Sequence, residues 1–300
     1  MSQQMSLFPA KDLPEEKKSI YEGESNALDE MLAATQRFRS SHEYIQMLQF
    51  ISRIPNYSAF NGFLLHTQNP EISFVATAGN WRKRFKRHLK TGARPLVILA
   101  PMSPVRFVYD ISDTVGDPIP PVLLKPVAAA GRLLQELFEN TVHNCALHGI
   151  MVRQILLSGQ PEGSAIHLTD DVRPKYQDLN LESGMNYLIL LHKEHRLADR
   201  YAALVHELGH IFGGHKGIDR NAWWQDRRKL DSTVLKIEAE SIAFLICQRK
   251  GLSSNADLYL LQYRRQDQKI PLLGFNAVLQ ATNYIEAMGQ SRWKKPKKSR

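Results

Sequence analysis

The sequence predicts an α+β protein of two domains, a small mixed α/β N-terminal one and a larger C-terminal one with long helices and a small sheet. Three observations carry this. Apolar residues recur at helical spacing in several stretches, and short β-prone runs stand between them. The segment 117–126 holds four prolines and can sustain neither a helix nor a central strand, which marks it as a linker with a boundary near residue 122. At 300 residues and 43% hydrophobic, the chain can bury one large core or two ordinary ones.

Residues 1–35 are polar and of mixed charge, with Lys-Asp-Leu-Pro-Glu-Glu-Lys-Lys at 11–18, and read as a flexible arm. The N-terminal domain spans 36–121. Ile45, Leu48, Ile51 and Ile54 predict one helix, and after the break at Pro55-Asn56 the apolar stretch 57–65 predicts a second. The runs 95–100 and 105–109 predict two strands joined by a turn at Pro101-Met-Ser-Pro104. The C-terminal domain spans 122–290. It opens with a helix over 127–148, followed by strands over 164–168 and 186–191. A helix over 195–212 repeats Leu197, Tyr201, Leu204, Leu208 and Ile211 and stops at Gly213-Gly214. Another over 233–250 starts behind the capping pair Asp231-Ser232 and stops at Gly251. Residues 291–300 form a basic tail that reads as disordered, and no internal repeat is present.

With 39 basic and 30 acidic residues, the formal net charge of +9 favours polyanionic partners, nucleic acid ahead of membrane. The two cysteines, Cys145 and Cys247, lie far apart in apolar surroundings, offer no disulfide framework and suit a reducing compartment. Residues 1–10 lack a basic stretch followed by a long apolar one, and the longest apolar runs are too short to span a bilayer. A soluble cytoplasmic protein is the expectation.

The chemistry centres on His206-Glu207-Leu208-Gly209-His210. Residues four apart share a helix face, so His206 and His210 can present two imidazoles to one Zn2+ ion with Glu207 beside them. A catalytic site needs a third protein ligand and an open position for water. The metzincin continuation would place a histidine at 216, where Lys216 stands; His215 is off by one and reads as a loop histidine. The other source is the helix over 233–250, apolar on nearly every side, which carries Glu238 and Glu240. A lone buried carboxylate costs several kcal/mol, on the order of the unpaired-charge penalty, so at least one of the two needs a cation or strong donors. Periodicity does not choose between them. His167, His192, His195, His215 and several tyrosines are equal candidates for stabilising a transition state, and none is singled out.

The segment Trp81-Arg-Lys-Arg-Phe-Lys-Arg-His-Leu-Lys90 joins six cationic side chains, Arg82, Lys83, Arg84, Lys86, Arg87 and Lys90, to two aromatics. Phosphate contacts combined with flat stacking surfaces suit single-stranded nucleic acid. The plainer alternative is a solvated helix face with Trp81 and Phe85 turned into the core.

Tyr57-Ser-Ala-Phe-Asn61, Trp81 with its basic run, Lys90-Thr-Gly-Ala-Arg-Pro95, Leu99-Ala-Pro101 and the segment 108–116 together resemble the N-terminal domain of ArdC antirestriction proteins over roughly residues 40–120. Downstream, Val205-His-Glu-Leu-Gly-His210 with Glu238-Ala-Glu-Ser-Ile-Ala243 resembles the ImmA/IrrE-type zincin domain that forms the second half of that family. The resemblance implies single-stranded DNA binding by the first half and a zincin-like metallopeptidase in the second. Carried over by position, it places the zinc histidines at His206 and His210, the catalytic glutamate at Glu207 and the glutamate ligand at Glu238. Those zincins usually carry Asn two residues after the ligand, where Glu240 stands here and would orient a ligand histidine. The expected protein is a single-stranded-DNA-binding zinc metalloendopeptidase of gluzincin type, acting in antirestriction or as a DNA-associated regulatory protease on a protein or peptide substrate. The alternative is a non-proteolytic DNA-protection factor in which zinc is structural.

Overall fold

The computed structural model describes residues 40–100, 103–120, 129, 131–156, 163–219, 222–265 and 270–294. The expected arm over 1–35, most of the proline-rich linker and residues 295–300 of the tail lie outside the described residues.

The fold is α+β. Two helices open it, α1 (Ser41–Arg53) and α2 (Ala59–Gln68), each started by a serine whose hydroxyl accepts a backbone N–H of the first turn, Ser40 from Glu43 and Ser58 from Asn61. Then come β1 (Val75–Ala76), α3 (Ala78–Phe85), β2 (Arg87–Leu89), β3 (Leu96–Ala100), β4 (Ser103–Asp110) and β5 (Thr114–Gly116). The predicted strand pair is the antiparallel hairpin β3–β4, to whose other side β1 adds in the order β1-β4-β3. A second, two-stranded sheet pairs β2 with β5.

Next follow α4 (Gly131–Leu147), β6 (Ile150–Ile155), β7 (Gly163–His167), β8 (Tyr187–His192), α5 (Leu197–Phe212), α6 (Ser232–Arg249), α7 (Asn255–Arg265) and α8 (Phe275–Gln290). The sheet order is β6-β8-β7, with β6 parallel and β7 antiparallel to β8, so the central strand β8 is buried along nearly its whole length and β7 lies at an edge. As the capping signals predicted, Asp231 accepts the Thr233 N–H at the start of α6. Beyond α5 the chain turns through Gly214, whose φ is +78° and whose missing Cβ leaves room for the Gln225 carbonyl; a side chain there would meet that oxygen.

The main core joins residues from both sides of the proline-rich run. Ile45, Leu48 and Ile51 of α1 pack in the same cluster as Leu204 and Leu208 of α5, Ile242 and Leu245 of α6, and Val278 and Ile285 of α8. Polar bonds cross there too. The Tyr44 hydroxyl donates to Ser241 Oγ at 2.8 Å, and the Ala59 N–H donates to Asn283 Oδ1 at 2.7 Å. Arg249, 4% exposed, bonds Glu286 at 2.8 Å and gives its remaining guanidinium hydrogens to the carbonyls of Ile51, Ile54, Pro55 and Tyr57 at the end of α1. A guanidinium left without those acceptors would carry the penalty of an unpaired buried charge, about 3–5 kcal/mol. Among the described residues, no helix is long and apolar enough to cross a membrane.

Candidate metal and hydrolytic centre

Helix α5 runs against α6 at Gly209, where even a Cβ would already touch the Ala239 carbonyl and the Ile242 side chain at 3.4 Å. The close crossing brings the HExxH segment beside the middle of α6. Leu204, Leu208 and Ile211 face the core as the periodicity predicted, while His206 and His210 remain partly accessible.

A cavity of about 180 Å³ opens at this crossing, lined by His206, Glu207 and Glu240 together with Gly163 of β7 and Ser254 and Asn255 at the start of α7. His206 Nδ1 lies 3.5 Å from Glu240 Oε2. Glu207 is 8% exposed, and burial raises its carboxyl above the usual range; the neighbouring His206 and Lys216 and the N–H of Ala165 oppose that rise, and Glu240 adds to it. His210 sits one turn on, its ring centroid 5.0 Å from that of His206. Burial, with His206, His215 and Lys216 nearby, holds its imidazole well below the usual range, so it is neutral, the form in which histidine binds metal.

Glu238 is placed elsewhere, which corrects its expected position beside the histidines. Its side chain is 0% exposed and its oxygens are occupied: Arg227 donates to both, at 2.5 and 2.7 Å, the Gly274 N–H donates to Oε1 at 2.7 Å, and His215 Nε2 lies 2.9 Å from Oε2. Burial alone would raise its carboxyl, but the bonds from His215 and Arg227 outweigh it and hold the group below the usual range. The reason for the separation is helical. Two residues apart on an α-helix means about 200° of rotation, so only one of the pair can face α5's cavity, and Glu240 is the one that does. The need for a cation, argued from the apolar body of α6, is met at Glu238 by Arg227.

Two participants were missed. His215, expected as a loop histidine, is 6% exposed in the turn after α5, with Nδ1 3.0 Å from Nδ1 of His210 and Nε2 on Glu238. Arg227 lies in an irregular stretch that carries no motif; its only sequence signal was the demand of a buried acid for a cation. Of the other histidines weighed, His192 and His195 stack on each other and His167 stacks on Tyr187.

Among the described residues no three His, Cys, Asp or Glu side chains close around one point. The donors fit a zinc-type ion in kind: two imidazoles four residues apart, a carboxylate against the first of them, and a cavity on that side.

The basic segment divides. Trp81 is fully buried against Phe74 and Phe85, with its indole N–H on the Tyr109 carbonyl at 2.9 Å, so it offers no face to a base and its expected binding role is corrected. Its spacing from Phe85 turned both rings inward, as the plainer reading held. Arg87 is spent on Thr114, Gly116 and Asp117, tying β2 to β5, and Lys90 Nζ reaches the Ser112 carbonyl at 2.7 Å. Arg82, Lys83, Arg84 and Lys86 are exposed on and just beyond α3. Among the described residues the exposed aromatic is Phe107, 53% accessible, on the same side of β4 as Tyr109 by strand alternation and flanked by exposed Val105.

No protein-family model and no curated protein sequence matches the chain. Solved structures similar to it include the antirestriction ArdC protein from the R388 plasmid. Its metal-free form is 18% identical with a TM-score of 0.38, covering 78% of this chain and 84% of that one. Its Mn(II)-bound form is 17% identical with a TM-score of 0.38, covering 82% and 96%. At these values the chain's own residues must carry any reading of what it does.

Proposed function

We propose that the cavity between α5 and α6 is a metal-dependent hydrolytic centre for peptide bonds, in a protein whose α3 face binds single-stranded DNA. The observation that carries the first part is the convergence of His206, Glu207 and Glu240 on one cavity. In this reading His206, His210 and Glu240 hold the ion, which is Zn2+ on the chemistry of that donor set. Bound zinc would lower the pKa of its water to about 7 and polarise a carbonyl. Glu207 would serve as general base and acid, its carboxylate accepting a proton from the attacking water and returning it to the leaving amine, work for which a carboxyl raised by burial is better matched than an ordinary one.

β7 supports a peptide as the substrate. It is the edge strand beside the cavity, with Gly163 in the lining and the Ala165 N–H on Glu207. An extended segment can add along such an edge through main-chain bonds. For DNA, the support is the group of exposed cations on and beyond α3 and an exposed Phe107, which replaces Trp81 as the stacking surface. The non-proteolytic protection factor is the second reading; a carboxyl at the cavity beside His206, where a general base would stand, weighs against it.

The test is Glu207→Gln. Metal content measured on purified protein should stay at that of the wild type while peptidase activity falls by about 10²–10⁴-fold. Wild-type protein without stoichiometric metal, or activity indifferent to this change, overturns the hydrolytic reading. DNA protection that survives the change in full favours the second one.

A further inference from the structure

Two side chains of α2, Asn61 and Gln68, spend their amides on the edge strand of the first sheet. We propose that they are positioning residues for the nucleic-acid face of the β3–β4 hairpin, clamping the outer main chain of β3 so that Phe107 is presented on a rigid support. This rests on the reading of that face as part of the site for single-stranded DNA.

β3 lies at one edge of the sheet β1-β4-β3, so the main-chain groups it turns away from β4 have no neighbouring strand. Alternate residues of a strand turn those groups to the same side, and here they belong to Val97 and Leu99. Asn61 Oδ1 accepts the Leu99 N–H at 2.9 Å, and its Nδ2 donates to the Leu99 carbonyl at 3.0 Å. Gln68 does the same for Val97, with both bonds at 2.8 Å. Each amide offers one acceptor and one donor, as a residue of a pairing strand would. The orientation of the amides follows from the partners, since a main-chain N–H can only donate and a carbonyl only accept. Gln68 Nε2 also donates to the Leu64 carbonyl at 2.8 Å, which fixes the amide at the end of its helix. Seven residues are close to two helical turns, so both side chains leave one side of α2.

The clamped strand stands directly beside the exposed aromatic. Val97 is paired with Phe107 across the hairpin, and opposite residues of an antiparallel pair share a face. That outer face holds half-buried Val97 with exposed Val105 and Phe107, while Leu96, Ile98 and Val108 are buried on the other. An edge strand whose outer main chain is left to water opens more readily, and a stacking surface that opens must be ordered again at each binding event. α2 is itself well held. The Ala59 N–H donates to Asn283 of α8, and Phe63 and Leu65 are buried in the main core. The clamp thus ties the hairpin to the helical body of the protein.

The experiment compares the full-length wild type with the Asn61→Ala, Gln68→Ala pair, each with and without Phe107→Ala, by amide hydrogen exchange and by fluorescence anisotropy with a labelled oligothymidylate. Gln68 is exposed, so Gln68→Ala alone serves where the pair does not fold. Without the clamp the Val97 and Leu99 amides should exchange about 2–10-fold faster, the net worth of one such hydrogen bond. DNA affinity should fall by about 2–10-fold, the cost of ordering the face on binding, with an unchanged salt slope because the cations of α3 are untouched. Phe107→Ala should cost at least about fivefold in the wild type and clearly less without the clamp, since both changes act on one face. Equal costs in the two backgrounds, or wild-type affinity in a variant whose edge amides exchange faster, overturn the positioning role. So does protection of Val97 and Leu99 that survives the loss of both amides. If the wild type does not bind the oligonucleotide, or Phe107→Ala leaves binding intact, the DNA reading of this face falls and takes the positioning role with it, while the exchange rates still report the clamp.

Discussion

Glu238 and Glu240 stand two residues apart on one helix, and the molecule treats them as opposites. Glu238 faces inward and is saturated by Arg227, His215 and the Gly274 N–H; Glu240 faces the cavity and has a histidine ring nitrogen 3.5 Å away. The first is fixed by its surroundings, while the second keeps coordination capacity in reserve. The contrast teaches that a buried acid in an apolar helix is as much a demand for a cation as a sign of a ligand, and that both can be satisfied by neighbouring positions.

The largest test of that contrast is stability. Glu238→Ala should cost about 3–5 kcal/mol, because it strands Arg227 in a buried setting, whereas Glu240→Ala should stay within about 1 kcal/mol; urea unfolding midpoints read both. Equal losses would erase the distinction. A smaller perturbation of the saturated side alone is Gly274→Ala. Its backbone φ of −77° suits any residue, so the expected loss of about 1–3 kcal/mol would come from the collision with Arg227. On the open side, Glu240→Ala should lower zinc affinity by at least the tenfold expected of a mere outer partner, at nearly wild-type stability, as chelator competition would show. Loss confined to Glu238→Ala would return the ligand role to that residue.

The same division between spent and free groups recurs in the basic segment, with the smallest expected effects. Charge reversal of Arg82, Lys83, Arg84 and Lys86 should weaken single-stranded DNA binding and flatten its dependence on salt, by a slope of about 0.7 for each phosphate no longer neutralised. Arg87→Ala should instead loosen the β2–β5 pair and leave the salt slope nearly as it was, since its hydrogens already serve Thr114, Gly116 and Asp117. Salt titration of binding by fluorescence anisotropy separates the two.

Local signals made much of this legible. The helices over 41–53, 59–68, 197–212 and 232–249 follow from apolar spacing and capping residues, and the β3–β4 hairpin from β-prone runs around a proline turn. The short strands β1, β2 and β5 were not legible, because two or three residues cannot show an alternation and they exist through pairing with distant partners. β6 and the helices α7 and α8 also escaped notice; α8 carries Asn276, Thr282 and Glu286 buried among its apolar residues, which blurs its stripe. At the site, the His206–Glu207–His210 spacing was readable because its geometry lies within one turn of one helix. The split between Glu238 and Glu240 was not, since it depends on where Arg227 and Gly274 fall in space. Trp81 was misjudged as a binding surface because an aromatic inside a charge run reads alike whether it faces solvent or, with Phe85 four residues on, the core.

Arg249 has a consequence for how the gene could be divided. Its guanidinium belongs to the helix that carries Glu240, yet four of the carbonyls it serves belong to the chain around the end of α1 and the turn before α2. The proline-rich run near residue 122 looks like a natural seam, but a fragment begun there would carry the HExxH motif with an orphaned cation and a bare apolar trough where Ile45, Leu48 and Ile51 had been. Shuffling the two halves among unrelated partners would therefore require an imitation of the first two helices, whatever became of the strands between.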